Sequence, residues 1–314
     1  MKRALIVGGA NGIGLAIATS LAGREEVEVV YIVDKATVDP AYQHPKFSSH
    51  VFDLTAEDYS FFDRFTDIDT LFITAGFGRL ALFREVDEEH IIRSFQVNTL
   101  SVIRLIKRFY TRIEQDAAFY CGVMVSIAGF MSSPFFSVYA ASKAALKVFI
   151  ESVNVELIKA GSQNRILNVS PGSIQGTTFG AGKNDLKLTL PLAEEILAHL
   201  AARDDLFIPR YEEVFREVLE RYHRDFRAEG LHSYEYKEQS GRLKKDKEAR
   251  TIPLKGAYVV VVAPFSCIRL HLVALVRMRF CVGKHSVSRH RRGWLYGLYN
   301  IYLYLYIAHP IFRF

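Results

Sequence analysis

ALIVGGANGIG, residues 4–14, decides the fold. Four apolar residues run into a glycine-rich turn, and GIGLAIATSLA at 12–22 then reads as a helix. A short buried strand followed by a turn and a helix is the opening of a βαβ unit. The glycines have separate physical tasks. Gly8 permits a tight turn, Gly12 lets backbone come close to a pyrophosphate, and Gly14 lets the helix pack closely on the strand. The helix start offers free N–H groups and the positive end of its dipole to an anion, so the backbone of Asn11 and Ile13 joins the same cradle.

Working outward, the pattern repeats. EVVYIVD at 28–34, KFSSHVFDL at 46–54, TLFITAG at 70–76, VMVSIAG at 123–129 and RILNVSPG at 165–172 read as buried strands bounded by Gly, Asp or Pro. LFIPRY at 206–211 supplies one more short strand. Helical patterns lie between them at 12–22, 58–65, 87–113, 139–160, 191–202 and 212–229. Strands alternating with helices predict an α/β fold, a Rossmann-like doubly wound parallel sheet with helices on both faces.

The chain has 314 residues and is 50% hydrophobic, enough for one full-size core with an appendage. Its net charge of +6 is unevenly spread. Residues 1–240 carry 26 Lys+Arg against 32 Asp+Glu, whereas 241–314 carry 14 against 2, with no acid after Glu248. The shift predicts a boundary, with a dinucleotide-binding domain over 1–240 and a basic, hydrophobic tail over 241–314. The front part gives no electrostatic reason to expect nucleic acid. The three cysteines match no zinc spacing, so no metal site is expected, and Cys121 in an apolar run reads as an inert buried thiol. The N-terminus lacks a long apolar region and a cleavage signature, which points to a cytoplasmic protein.

A second constellation bears on chemistry. Tyr139 and Lys143, in YAASK, fall at i and i+4 on one helical face. A phenol titrates near pH 10 and is a poor base at neutral pH, so it needs a neighbouring cation. Ser126 ends a strand 13 residues before Tyr139, and Asn98 lies mid-helix, where Asn is a poor helix former. Asp34 ends the second strand 20 residues after Gly14. A carboxylate there accepts hydrogen bonds from both ribose hydroxyls of an adenosine and repels a 2′-phosphate, favouring NAD, while Lys35 beside it leaves NADP possible.

Together these motifs resemble the short-chain dehydrogenase/reductase family, in its compact single-domain branch. The resemblance spans residues 3 to about 178 by motif. It implies hydride transfer between NAD (or NADP) and a secondary alcohol or ketone. Tyr139 is then the general acid/base, Ser126 holds the substrate oxygen, Lys143 binds the nicotinamide ribose, and Asn98 holds a relay water. It also implies cofactor contacts from Asp53 to the adenine and from Ala75 and Gly76 on the adenosine side. Further contacts come from Pro171, Gly172 and Ile174 at the nicotinamide and from Thr177 near the pyrophosphate. Three positions depart from the family pattern. Val7 and Thr74 stand where the family has Thr and Asn, and Gln175-Gly176 puts one extra residue before Thr177. The partners implied are a small-molecule alcohol or carbonyl and a second copy of the chain, as a homodimer or homotetramer through the helices at 87–113 and 139–160.

Some alternatives stay open at this level. Phe130, Met131, Phe135 and Phe136 form either a substrate wall or core. Residues 176–190 read as a lid, whose Lys183 and Lys187 face either an anionic substrate or solvent. The tail is a membrane-associating segment, a partner-binding extension, or a stretch not selected as protein sequence at all. A binding protein that kept the fold and lost the chemistry, and a membrane-tethered reductase of lipid-like substrates, are the competing functions.

Overall fold

A computed structural model of the protein describes residues 1–240, apart from 116, 178, 180 and 181. The tail expected over 241–314 lies outside the described residues. Seven parallel strands form one sheet in the order β3-β2-β1-β4-β5-β6-β7. They are β1 (Arg3–Val7), β2 (Val29–Asp34), β3 (Phe47–Val51), β4 (Thr70–Ile73), β5 (Tyr120–Met124), β6 (Ile166–Val169) and β7 (Leu206–Phe207). The order reverses between β1 and β4, which register Val7 against Ile73. That reversal opens a crevice at the strands' C-terminal ends, the usual ligand position in such sheets.

Both faces of the sheet are covered, so the strands need no polar alternation. Leu5 and Val7 of β1 point into a core with Leu71, Ile73, Val123, Leu105, Ile106, Leu146 and Ile150. Ala4 and Ile6 point into the other core, with Leu15, Ile17, Phe72, Val169, Ile196 and Leu197. Each fully buried Leu, Ile or Phe stabilises the fold by about 1.5–3 kcal/mol. The helices are α1 (Gly12–Ala22), α2 (Glu88–Phe95), α3 (Ser101–Glu114), α4 (Ser137–Lys159), α5 (Leu186–Ala202), α6 (Arg216–Arg224) and α7 (Phe226–Gln239). Among the described residues no helix is long and apolar enough to cross a membrane.

Four elements differ from the sequence expectation. The segment at 58–65 forms a 3₁₀ turn over Ser60–Arg64, not an α-helix. The Asp58 carboxylate accepts from the backbone N–H and hydroxyl of Ser60, and α3 holds the turn from outside, with Arg104, Arg108 and Arg112 donating to backbone carbonyls between Ala56 and Ile68. The helix at 87–113 is split by a π turn at Gln96–Leu100. α5 starts five residues before Pro191, capped by Asp185, which accepts from the Lys187 N–H. The charged helix at 212–229 breaks at Asp225, whose extended backbone (φ −152°) ends α6 and whose carboxylate caps α7 by accepting from the N–H groups of Arg227 and Ala228.

Candidate active site

The glycine turn leaves β1 at the point of strand reversal. Gly8 has φ +89°, and a Cβ there would lie 2.4 Å from the Ala75 nitrogen. A Cβ on Gly14 would lie 2.3 Å from the Gly8 carbonyl oxygen and 2.4 Å from Thr74 Oγ1. Only hydrogen fits at either position. Thr74 keeps the turn tied to β4, since its hydroxyl donates to the carbonyls of Gly8 (2.8 Å) and Val7 (3.2 Å).

Asp34, at the end of β2, faces this turn. Its carboxylate accepts from the N–H of Ala10 (3.1 Å) and of Ala36 (3.1 Å). Asp53 follows β3 and makes a local turn, accepting from the N–H and hydroxyl of Thr55, both at 2.9 Å. Those bonds, with Arg93 and Lys35 nearby, hold its carboxyl below the usual range. An open depression of about 630 Å³ runs from Asp53 and Thr55 to Glu88, Arg93 and Gln96 of the α2 region.

Thr177 closes the glycine turn from the other side. A Cβ on Gly12 would meet the Thr177 side chain at 3.5 Å, and the Thr177 hydroxyl donates to the Ile174 carbonyl at 3.1 Å. Thr177 thus packs beside Gly12 despite the two residues between it and Ile174. Pro171 is buried, and Ile174 packs against the α1–α5 core. Gly172 lies under the ring of Phe215, to which a Cβ would come within 2.6 Å.

Asn98, Ser126, Tyr139, Lys143 and Gly76 converge. Asn98 is fully buried in the π turn. Its amide oxygen accepts from the Phe77 N–H (3.0 Å), and its amide nitrogen donates to the Phe77 carbonyl (2.9 Å) and Ser142 Oγ (3.1 Å). Ser142 Oγ in turn donates to the Tyr139 carbonyl at 2.7 Å. The turn's wider loop carries Asn98 into the core and gives a poor helix former its reason. Lys143 is buried and donates to the Met124 carbonyl at 2.8 Å. A Cβ on Gly76 would sit 3.3 Å from both Lys143 Nζ and Asn98 Oδ1.

Ser126 beside the phenol draws the pKa of Tyr139 down, but burial outweighs it and holds the phenol above its ordinary value. Lys143 Nζ lies 5.9 Å from the Tyr139 ring. Burial also brings Lys143 down, to about 7.

The structure separates the four apolar residues between Ser126 and Tyr139. Phe135 is core: it is buried, with its ring 4.5 Å from that of Tyr234 in α7. Phe136 is half-buried, with its ring 5.5 Å from that of Tyr139. Phe130 lies under Lys147 Nζ, and Met131 is half-buried. On the lid, Lys183 and Lys187 are exposed. Two lid residues that sequence reasoning missed reach the site. Phe179 lies 5.5 Å from the Tyr139 ring and covers it. Asn184 accepts from the Gly12 N–H (2.8 Å) and donates to Asn11 Oδ1 (2.9 Å). No local pattern could have paired residues so far apart in sequence. Among the described residues no three His, Cys, Asp or Glu side chains converge to hold a metal ion.

A crevice at the sheet's reversal, with buried Lys143, Ser126 and Asn98 beside a half-buried Tyr139, defines the class, and comparison with known proteins names it. The family model described as short chain dehydrogenase matches residues 2–187, and the chain belongs to that family. The chain is 27% identical over 155 residues to human 17-beta-hydroxysteroid dehydrogenase type 1, an alignment covering 48% of this chain and 44% of that enzyme. It therefore spans less than half the length of that relative. Among solved structures it is similar to a short chain dehydrogenase/reductase from Burkholderia phymatum in complex with NAD (TM-score 0.61, 18% identity, 72% of this chain, 94% of that one). It is also similar to a short chain dehydrogenase from Burkholderia cenocepacia J2315 in complex with NADP (TM-score 0.60, 20% identity, 74% and 99%).

Proposed function

We propose that this oxidoreductase transfers hydride between a nicotinamide dinucleotide and a secondary alcohol or ketone, with Tyr139 as general acid/base. The observation that carries the reading is the convergence of Tyr139, Ser126, Lys143 and Asn98 beside the glycine turn. The comparisons support it, since structures of the same fold hold NAD and NADP.

The residues present fit such a cofactor. The start of α1 aims backbone N–H groups at a pyrophosphate, one of which, that of Gly12, Asn184 takes in the free chain, and Asp34 would accept from the adenosine ribose. Lys143 uses one of its three N–H donors on Met124, leaving others for the nicotinamide ribose. Ile174 and Gly172 flank the nicotinamide side. When bound, the cofactor supplies hydride acceptance or donation.

This chain's own residues handle the proton. Ser126 Oγ and Tyr139 Oη hold the substrate oxygen from two directions. During alcohol oxidation Tyr139 takes the hydroxyl proton; during ketone reduction it returns one. Lys143, once charged, lowers the phenol's pKa and passes the proton on towards Asn98. Phe179 excludes water from the phenol and moves aside for substrate. Asp34 favours NAD. The exposed apolar residues of α4, Val148, Val155 and Ile158, suit self-association as a homodimer or homotetramer.

Replacing Tyr139 with Phe tests the assignment. Dinucleotide binding stays within about twofold, whereas turnover of secondary alcohols falls at least about 10³-fold. Retained turnover in Tyr139→Phe contradicts it.

A further inference from the structure

Lys237 in α7 is a buried-side cation with no task in the mechanism above. Its ammonium donates to Ser133 Oγ (2.8 Å) and to the Pro134 carbonyl (3.0 Å). It lies 5.7 Å from the Phe136 ring, whose other neighbours are the rings of Tyr139 at 5.5 Å and Phe179 at 6.4 Å. Phe136 thus bridges the phenol and the ammonium. Among the described residues no carboxylate pairs with Lys237. An ammonium has three donors, and two are used here, so one N–H remains for a ligand.

The backbone shows that this arrangement is held against a preference. Phe135 has φ +65°, a left-handed conformation that bulky residues rarely adopt. That twist sends the Phe135 ring under α7 against Tyr234 and leaves Phe136 facing Tyr139. Strain of this kind collects at ligand sites. Burial alone brings Lys237 down to about 8, so it is still mostly charged at neutral pH, with no carboxylate partner among the described residues.

We propose that Lys237 sets the substrate class: an alcohol or carbonyl on an apolar body whose far end carries a carboxylate. The inference rests on the proposed reaction site. The apolar body lies along Phe136 and Phe179, the reacting carbon reaches Tyr139, and the carboxylate accepts the unused Lys237 N–H. A charge-assisted hydrogen bond in a half-buried site gives about tenfold or more in affinity over a neutral isostere. The rival role for Lys237 is a strap that only fastens α7 to the 133–134 turn.

Calorimetric titration of the full chain with hydrocinnamate and with its amide, in the presence of NADH, separates the two. The proposal expects hydrocinnamate to bind about tenfold more tightly than the amide. Lys237→Gln levels the two ligands, and Lys237→Arg restores the preference. Equal binding, no binding of either ligand, or a preference that survives Lys237→Gln overturns it. NADH fluorescence, followed on the same samples, reports the cofactor site independently. Intact NADH binding without a carboxylate preference leaves the reaction reading standing and Lys237 a strap.

Discussion

At the scale of single residues, the site is built from groups held away from their ordinary chemistry. Lys143 titrates near 7 in the folded chain against about 10.5 unfolded. Between those values the unfolded chain binds more protons at this position, so stability rises with pH across that window. Lys143→Met therefore stabilises the folded chain near pH 7, on the order of 2–3 kcal/mol after the lost hydrogen bond is counted, and raises its melting temperature. The gain shrinks as pH approaches 10, and thermal melts of both proteins at several pH values check it. The same variant loses turnover. Gly14→Ala works in the opposite sense: its Cβ meets the Gly8 oxygen and Thr74, so unfolding in urea shows a loss of about 2 kcal/mol or more. These residues were legible in the sequence because their types are chemically unusual where they stand. What the sequence hid was electrostatic state. YAASK places an ammonium beside a phenol, but only the three-dimensional burial shows that both are pushed towards neutrality.

At the scale of elements, legibility followed the strength of local signals. β1, α1 and β2 were readable because apolar runs end at glycine or acid. The break between α6 and α7 was not, because the charged sequence around Asp225 has the composition of a continuous helix. What decides it is the capping of two N–H groups by the Asp225 carboxylate. Asp225→Ala removes that cap and destabilises α7 by about 1 kcal/mol. Hydrogen exchange at the amides of 227–229 then quickens, while exchange in β1 and β4 stays unchanged. The π turn was also hidden, since a single misfit Asn in a helix announces a reason without naming it. Its geometry turned out to be what aims Asn98 at Phe77 and Ser142.

At the scale of the whole molecule, alternation of strands and helices was enough to predict the parallel sheet, and the sheet's reversal between β1 and β4 fixes where a dinucleotide belongs. Contacts that join distant segments were not legible. Asn184 on Gly12, Phe179 on Tyr139 and Lys237 on Ser133 depend on how the lid and α7 fold back over the site, and no periodicity encodes that. The central claim concerns the crevice itself, so it is tested most directly without any substrate. Titrate the full chain with NADH and with NADPH, following nicotinamide fluorescence. The account predicts saturable binding of both, tighter for NADH, with Asp34→Ala removing the difference. Failure of the chain to bind either dinucleotide would contradict it.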